Sequence, residues 1–241
     1  MAMKRQNGDT MKRLFLAFTL LIFLNTFGFS QSVDPAQFAA AQKENTAQLQ
    51  KYSWKQQTEL KLKGETKKVL LNQMRYDASG NEQKTLLSEG PQQEAPQQSG
   101  GRRGSRVKSK VVENKKEDFK EMVQGLAALV KSYASIPSEK LKAAMANAEK
   151  LAGKDELQGA IGVRLQNSLQ DKDSLTVWLN PATLQFQRID INTLYEKKPV
   201  SAKANYTAIS GGPSYMAFAD LQYPEKELVV RIENFDYVSN P

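Results

Sequence analysis

From Tyr52 onward the chain alternates strictly. Trp54, Gln56, Thr58, Leu60 and Leu62 take one side, and Lys55, Gln57, Glu59, Lys61 and Lys63 take the other. A period of two with one side polar or charged throughout predicts a strand with one wet face. Gly64 is the expected turn, a second strand follows over 66–76, and Ala78-Ser79-Gly80-Asn81 turns into a third over 82–88. Short turns between such strands make an antiparallel meander. Upstream, Asp34-Pro35 predicts a helix start, with Asp as N-cap and Pro at the first helical position, running to Leu49. Its apolar face is thin (Phe38, Ala41, Leu49), which suits a surface groove.

The period becomes helical over 119–133, where Phe119, Met122, Val123, Leu126, Leu129, Val130 and Tyr133 form one broad apolar face. Ile136-Pro137-Ser138 breaks it, and Ser138 is expected to cap a further helix lined by Leu141, Met145, Ala148 and Ala152 and ended by Gly153. From residue 157 the pattern is β again. Strands are expected over 157–169, 175–179, 183–191, 199–209, 215–223 and 227–237. Their turns are Asp171-Lys172-Asp173, Asn180-Pro181, Glu196-Lys197-Lys198, Gly211-Gly212-Pro213 and Pro224-Glu225. With a short edge strand over 107–113, this gives about ten strands and three helices in the order α, β, α, β. The predicted fold is α+β, with one extensive antiparallel sheet and the helices on one face. No residue pattern recurs from strand to strand, so no internal repeat is expected.

Two segments stand outside this pattern. Lys12 and Arg13, the apolar run 14–24 and the small residues Gly28 and Ser30 read as a Sec-type export signal cleaved before Gln31. The alternative is an uncleaved N-terminal anchor. No Cys follows for lipidation, and 211 residues remain as a single domain over 31–241. The second segment, 89–106, is rich in Gln, Gly and Arg and too poor in apolar residues to offset its ordering entropy, so it is expected to be a disordered basic insertion. The net charge of +8 is concentrated in the leader, which contributes +3, and in the stretch 99–116, where Arg102, Arg103, Arg106, Lys108, Lys110, Lys115 and Lys116 against Glu113 contribute +6. The high basicity therefore describes a leader and one segment. That segment has three readings: a solvated linker, a contact for anionic lipid headgroups through Arg102, Arg103, Arg106, Lys108 and Lys110, or a nucleic-acid tract. Export and the absence of interleaved aromatics argue against nucleic acid.

The chain has no His and no Cys. A histidine base, a thiol nucleophile and the usual Cys/His zinc sites are therefore excluded. Phosphate-binding, dinucleotide and nucleophile-elbow motifs do not occur, and no cofactor is implied. Asp171 with Asp173, and Glu233 with Asp236, are the acid pairs a carboxylate hydrolase would draw on, but acids at turns and strand ends are expected to be solvated. The expectation is a protein without catalysis.

The stretch Val177-Trp178-Leu179-Asn180-Pro181-Ala182-Thr183-Leu184, returning through Gln185-Phe186-Gln187-Arg188-Ile189, resembles the strand, Asp/Asn-Pro, strand hairpin of the LolA/LolB-type lipoprotein-carrier superfamily. Tyr206 to Gly212 with Pro213-Ser214-Tyr215, and the closing strand Leu228 to Tyr237, resemble the same group of exported bacterial proteins. The resemblance covers mainly 157–237 and more loosely 54–76. It implies a periplasmic protein, an unclosed half-barrel with helices over its concave face, and a capacity to bind acyl chains. The 89–106 insertion departs from that pattern, and no ligand-contacting residue of the family is carried over.

A hollow left between a bent sheet and its helices takes up an acyl chain at ~0.8 kcal/mol per buried CH₂, without catalytic residues. The candidate lining residues are Trp54, Leu60, Leu62, Met122, Leu126, Val130, Leu141, Met145, Val177, Leu179, Phe186 and Phe218. The competing expectation for each is an ordinary dry core. Expected partners are an apolar ligand such as a lipid or acylated protein and, for the alternative of an envelope scaffold with a filled core, a protein met through the basic loop or a sheet edge. A monomer is expected.

Overall fold

The computed structural model describes the backbone of residues 35–90 and 105–240, and the side chains of 36–90 and 117–240. The expected leader, Arg102, Arg103 and most of the low-complexity insertion lie outside the described residues. Helix α1 spans Pro35–Leu49 and leads into β1 (Tyr52–Leu62), β2 (Glu65–Tyr76) and β3 (Glu82–Glu89). Helices α2 (Ser105–Ser132) and α3 (Ser138–Ala146) follow. The chain then makes β4 (Glu149–Ala152), β5 (Ile161–Gln166), β6 (Ser174–Leu179), β7 (Phe186–Tyr195), β8 (Lys198–Ala208), β9 (Ser214–Tyr223) and β10 (Leu228–Ser239).

These ten strands form one sheet in the order β3-β2-β1-β10-β9-β8-β7-β6-β5-β4, antiparallel throughout. The ends of that order, β3 and β4, do not pair, so the sheet is not closed into a barrel. Strands β4 to β10 are a meander built on local turns. Lys63 and Gly64, both at positive φ (54° and 75°), form the two-residue turn that matches strand twist between β1 and β2. The join between the two ends of the chain is non-local: β1 pairs with β10 from Tyr52↔Ser239 to Leu62↔Leu228.

Three local expectations are corrected. The segment 107–113 is part of α2, because Val107 and Val111 fall four apart and the run after them is rich in Lys and Glu, good helix formers. Arg106, Lys108 and Lys110 therefore sit on the first turns of a helix. The helix after Pro137 begins at Ser138 itself, with Pro137 at the cap position and no side-chain cap bond, and it stops at Ala146. Residues 149–152, expected as its last turn, are the edge strand β4, paired to β5. The long strand expected over 157–169 is shortened to β5 by a 3-10 turn at Asp155–Leu157 before it and by the loop around Ser168 after it.

All three helices lie on one face of the sheet. Phe38 of α1, Ala144 of α3 and the neighbouring Tyr133 join Leu165, Leu175, Val177, Leu179, Ile189, Ile191 and Ala204 in one buried cluster. A second cluster joins Leu126 of α2 to Val200, Tyr223 and Leu228, with Phe119, Met122, Leu60 and Leu62 packed around it. Helix α2 approaches the sheet closely because residue 125 is glycine: a Cβ there would stand 2.3 Å from the Tyr195 Oη. On the opposite face Trp178 heads a small cluster with Leu151, Leu157 and Ala160, and its indole donates to Asp190 at 2.9 Å.

One buried acid anchors the helical layer. Asp173, fully buried, accepts from the backbone N–H groups of Ser168 (2.6 Å), Leu169 (2.9 Å) and Gln170 (2.8 Å) and from the Ser168 hydroxyl (3.1 Å). The Tyr133 hydroxyl lies 2.7 Å from both Asp173 and Thr193, which ties the end of α2 to β6 and β7. The expectation of a solvated acid in the Asp171–Asp173 turn is thus corrected for Asp173, whose carboxylate folds the 168–173 loop around itself. We expect Asp173→Ala to cost about 3–5 kcal/mol, because it strips three backbone donors of their acceptor, and Tyr133→Phe about 1–2 kcal/mol. Urea unfolding followed by circular dichroism measures both, and equal costs would contradict the central role of the carboxylate.

Candidate functional site

The helical layer fills the inner face unevenly. On β5 to β8 the inward residues Leu165, Leu175, Val177, Leu179, Ile189, Ile191, Val200 and Ala204 are buried, and Ile161, Val163, Phe186, Ala202 and Tyr206 are half-buried around them. On β1, β2 and β10 the equivalent positions Leu60, Leu62, Leu70, Val230 and Ile232 are only half-buried. The close backbone approaches of α1, α2 and α3 are to β9, β7 and β5 respectively. Helix α2 also packs on this half of the face, where Phe119, Met122, Val123 and Leu126 meet Leu60, Leu62, Leu228 and Val230.

This half of the face has three zones, set by register. Leu60 pairs with Val230 and Leu62 with Leu228, which makes an apolar zone beside α2. At the other end Trp54 stacks on Tyr237 with ring centroids 5.5 Å apart and planes 5° apart, and it lies 5.3 Å from Tyr76. Tyr215 is 4.1 Å from Tyr237. Burial pushes the Tyr76 and Tyr237 hydroxyls well above the ordinary phenol range. Between these zones runs a polar row, with Asn72 of β2 opposite Gln56 of β1 and Gln56 opposite Asn234 of β10. Asn72, Gln56, Thr58 and Asn234 are all buried. Asn234 Oδ1 accepts from the Trp54 indole (3.2 Å) and from Gln56 Nε2 (3.1 Å), while its own nitrogen donates to the Met216 carbonyl (2.9 Å). At the sheet edge, opposite Met74, burial pushes the Lys84 ammonium down to about 8.

Helix α1 is fastened to two loops of the sheet. Asn45 both donates to and accepts from the Ser214 backbone (2.8 and 2.7 Å), and Gln42 donates to the Leu184 carbonyl at 2.7 Å. The Asn180-Pro181 turn that presents Leu184 is held by Asn180 Oδ1, which accepts from the N–H groups of Ala182 and Thr183.

The twelve candidate lining residues fall into four places. Val177 and Leu179 are core, with Phe186, Val130, Leu141 and Met145 packed against them. Leu126, Leu60, Leu62 and Met122 meet at the apolar zone under α2. Trp54 stands in the aromatic zone. Phe218 is corrected: it lies on the outer face beneath Arg231, whose guanidinium carbon is 4.7 Å from its ring centroid. The cause is a bulge in the pairing of β8 with β9, where Asn205 opposes Phe218 but Tyr206 opposes Met216. The extra residue reverses inside and outside along β9, so simple alternation from Met216 misplaces Phe218. The polar row was not picked out as functional from sequence, although its signal was there: Gln56 and Thr58 share the inward phase of Trp54 and Leu60, and Asn234 that of Val230 and Ile232.

The outer face of the same strands is wet and charged. A depression of about 280 Å³ there is lined by Gln57, Glu59, Lys61, Arg231 and Glu233. Arg231 pairs with Glu233 and Asp220, Lys61 with Glu59, and Lys55 with Asp236. A hydrogen bond from Thr66 holds the Glu59 carboxyl below its ordinary range. Glu233 and Asp236, one of the acid pairs noted in the sequence, are thus engaged by cations of this face. No cluster of three or more potential metal ligands occurs among the described residues, and no helix among them is long and apolar enough to cross a membrane.

No family model matches the chain, and no curated protein matches it. Two solved structures are similar to it. A DUF1329 family protein from Desulfovibrio piger is 11% identical with a TM-score of 0.37, over 85% of this chain and 92% of that one. A LolA superfamily protein from Nitrosomonas europaea is 8% identical with a TM-score of 0.35, over 83% of this chain and 93% of that one.

The geometry makes Asn234 the keystone of the polar row and Phe218 peripheral to it. Asn234→Ala leaves two buried donors and a buried carbonyl without partners and should cost about 2–4 kcal/mol. Phe218→Ala removes one exposed cation–π contact and should cost about 1 kcal/mol or less. Paired chemical denaturation of the two variants gives the ranking, and the reverse order would refute the assignment of faces.

Proposed function

We propose that this protein is an exported, non-enzymatic carrier that holds an apolar ligand, a lipid or the acyl chain of a modified protein, between the inner face of β1, β2 and β10 and its helices. The observation behind this reading is the uneven filling of the inner face. Leu60, Leu62, Leu70, Val230 and Ile232 are apolar inward positions that stay half-buried beside α2, next to a half of the same sheet where more of the inward aliphatic residues are buried. A protein with no other use for that strip gains stability by covering it, at roughly 25 cal/mol per Å² of apolar area. A half-buried apolar strip beside a helix is where an acyl chain would gain by displacing water. The resemblance of the β6–β7 hairpin to the lipoprotein-carrier pattern points the same way.

In this reading the leader over 1–30 delivers a single domain, 31–241, to the periplasm as a monomer. Leu60, Leu62, Met122 and Leu126 line the apolar end of the site, and Trp54 the other. The basic segment around Arg102, Arg103, Arg106, Lys108 and Lys110 meets anionic headgroups when the ligand is collected or delivered, each cation being worth ~1 kcal/mol near such a surface. The packed β5–β8 half favours the second reading, an envelope scaffold with a filled core, if the half-exposed strip takes no ligand.

The experiment is binding of diphenylhexatriene, an apolar probe that fluoresces when taken out of water. Saturable binding is expected, reduced more than tenfold by Ile232→Glu, which places a charge on the inner strip, and unchanged by Phe218→Glu on the outer face. Native mass spectrometry of the purified protein should show a lipid mass that organic extraction removes. Protein that is repeatedly clean and ignores the probe would leave the scaffold reading.

A further inference from the structure

The polar row fixes which of its own atoms is left over. The Trp54 indole has one N–H and no acceptor, and it donates to Asn234 Oδ1. The Asn234 nitrogen donates to the Met216 carbonyl, a group that only accepts. Both ends of the Asn234 amide are thereby assigned. The Gln56 atom 3.1 Å from Asn234 Oδ1 must then be its amide nitrogen, which leaves Gln56 Oε1 as the free end. That oxygen is buried and has no hydrogen-bond partner. Two residues along the same inward phase of β1, Thr58 Oγ1 is buried without a partner as well. The two residues are only 7% and 6% exposed. Buried acceptors left unpaired are costly, and folded proteins keep them where a water or a ligand supplies the donor.

We propose that the site accepts a neutral amphiphile whose N–H or O–H group donates to Gln56 Oε1 and Thr58 Oγ1 while its chain lies along Leu60, Val230 and Ile232: an acyl amide or a long-chain alcohol. This rests on the carrier reading and narrows its ligand. A fatty-acid anion is disfavoured, because its oxygens would face an acceptor whose orientation the Trp54 indole enforces. The lysines on this half of the inner face do not offset that. Lys68 pairs with Glu89 at 2.8 Å, and Lys84, across Met74 on β3, is drawn to Glu82. A pure hydrocarbon leaves both oxygens unpaired, and an ester, which only accepts, leaves Gln56 Oε1 unpaired.

The test compares three probes of one chain length, oleamide, methyl oleate and oleate, by displacement of diphenylhexatriene from the purified protein and from a Gln56→Leu/Thr58→Val variant. The wild type should bind oleamide about tenfold more tightly than methyl oleate, the size of one well-made buried hydrogen bond. The variant should bind the two alike and should stay folded, since Asn234 Oδ1 keeps the Trp54 donor when the Gln56 amide is gone. If the double variant fails to fold, Thr58→Val, which keeps the shape of the side chain, should lose part of the preference. Equal binding of amide and ester by the wild type, a preference that survives the variant, or tightest binding of oleate overturns the proposal while leaving the carrier reading intact. Binding of none of the three overturns both.

Discussion

The pairing of β1 with β10 is the interaction on which the rest of the molecule depends. It joins the N-terminal hairpin to the last strand, across nearly the whole described chain, and without it the sheet would be a seven-stranded meander with a detached three-stranded ribbon. Its register decides more than attachment. Gln56 faces Asn234 only in this alignment, and a slip of one residue would turn the Lys55, Gln57, Glu59 and Lys61 row inward and the Leu60 and Leu62 row into water. The alignment is pinned at both ends. Leu62 and Leu228 pack beneath α2. Tyr237 stacks on Trp54, placed by an irregularity where Asp236 adopts a positive φ of 53°. The outer-face pair Lys55–Asp236 spans the same irregularity, but it is exposed and contributes little.

Register also explains why the two halves of the inner face differ. On β5 to β8 the inward residues are aliphatic almost without exception, and the Asp173–Tyr133–Thr193 network holds the end of α2 and its continuation down onto them. On β1, β2 and β10 the inward phase mixes Leu, Val and Ile with Gln, Thr and Asn. A close-packed core cannot absorb those amides and hydroxyls unless each finds a partner. Asn234 serves three of the polar groups and leaves Gln56 Oε1 over. The sequence therefore specifies a tight core at one side of the sheet and, at the other, a surface that packs less well.

Much of this was legible in the amino-acid sequence. The alternation from Trp54 to Lys63 located β1 and its wet face correctly, and the Gly, Asn-Pro and Glu-Lys turns located most strands to within a few residues, because turn chemistry and the period of two are local properties. What failed was what local pattern does not carry. The segment 107–113 has valines and lysines that suit an extended strand as well as a helix, and its membership of a 28-residue helix follows from continuity with the amphipathic run beyond it. The bulge opposite Asn205 that sends Phe218 outward leaves no mark in composition. Asp173 looked like a turn acid, and only the closure of the 168–173 loop shows it as an internal hub. The pairing of first strand with last is invisible to any window shorter than the chain. Four of the apolar residues expected as lining, Leu60, Leu62, Met122 and Leu126, do meet, while Gln56, Thr58 and Asn234 share their face of the sheet with no apolar signature to mark them.

In the proposed carrier, recognition turns on the polar row. An apolar strip by itself discriminates weakly: one methylene more or less is worth about 1–3 kcal/mol, and a chain of any headgroup gains nearly the same. Discrimination comes from buried polar groups that a wrong ligand leaves unpaired. A leucine at position 56 would keep the alternation of β1 and leave no unpaired oxygen there, at the loss of the Gln56–Asn234 hydrogen bond. An amide in its place, oriented by an indole that is itself fully buried, gives up stability for a directional acceptor. In the proposed carrier the polar row is therefore the selective element of the site.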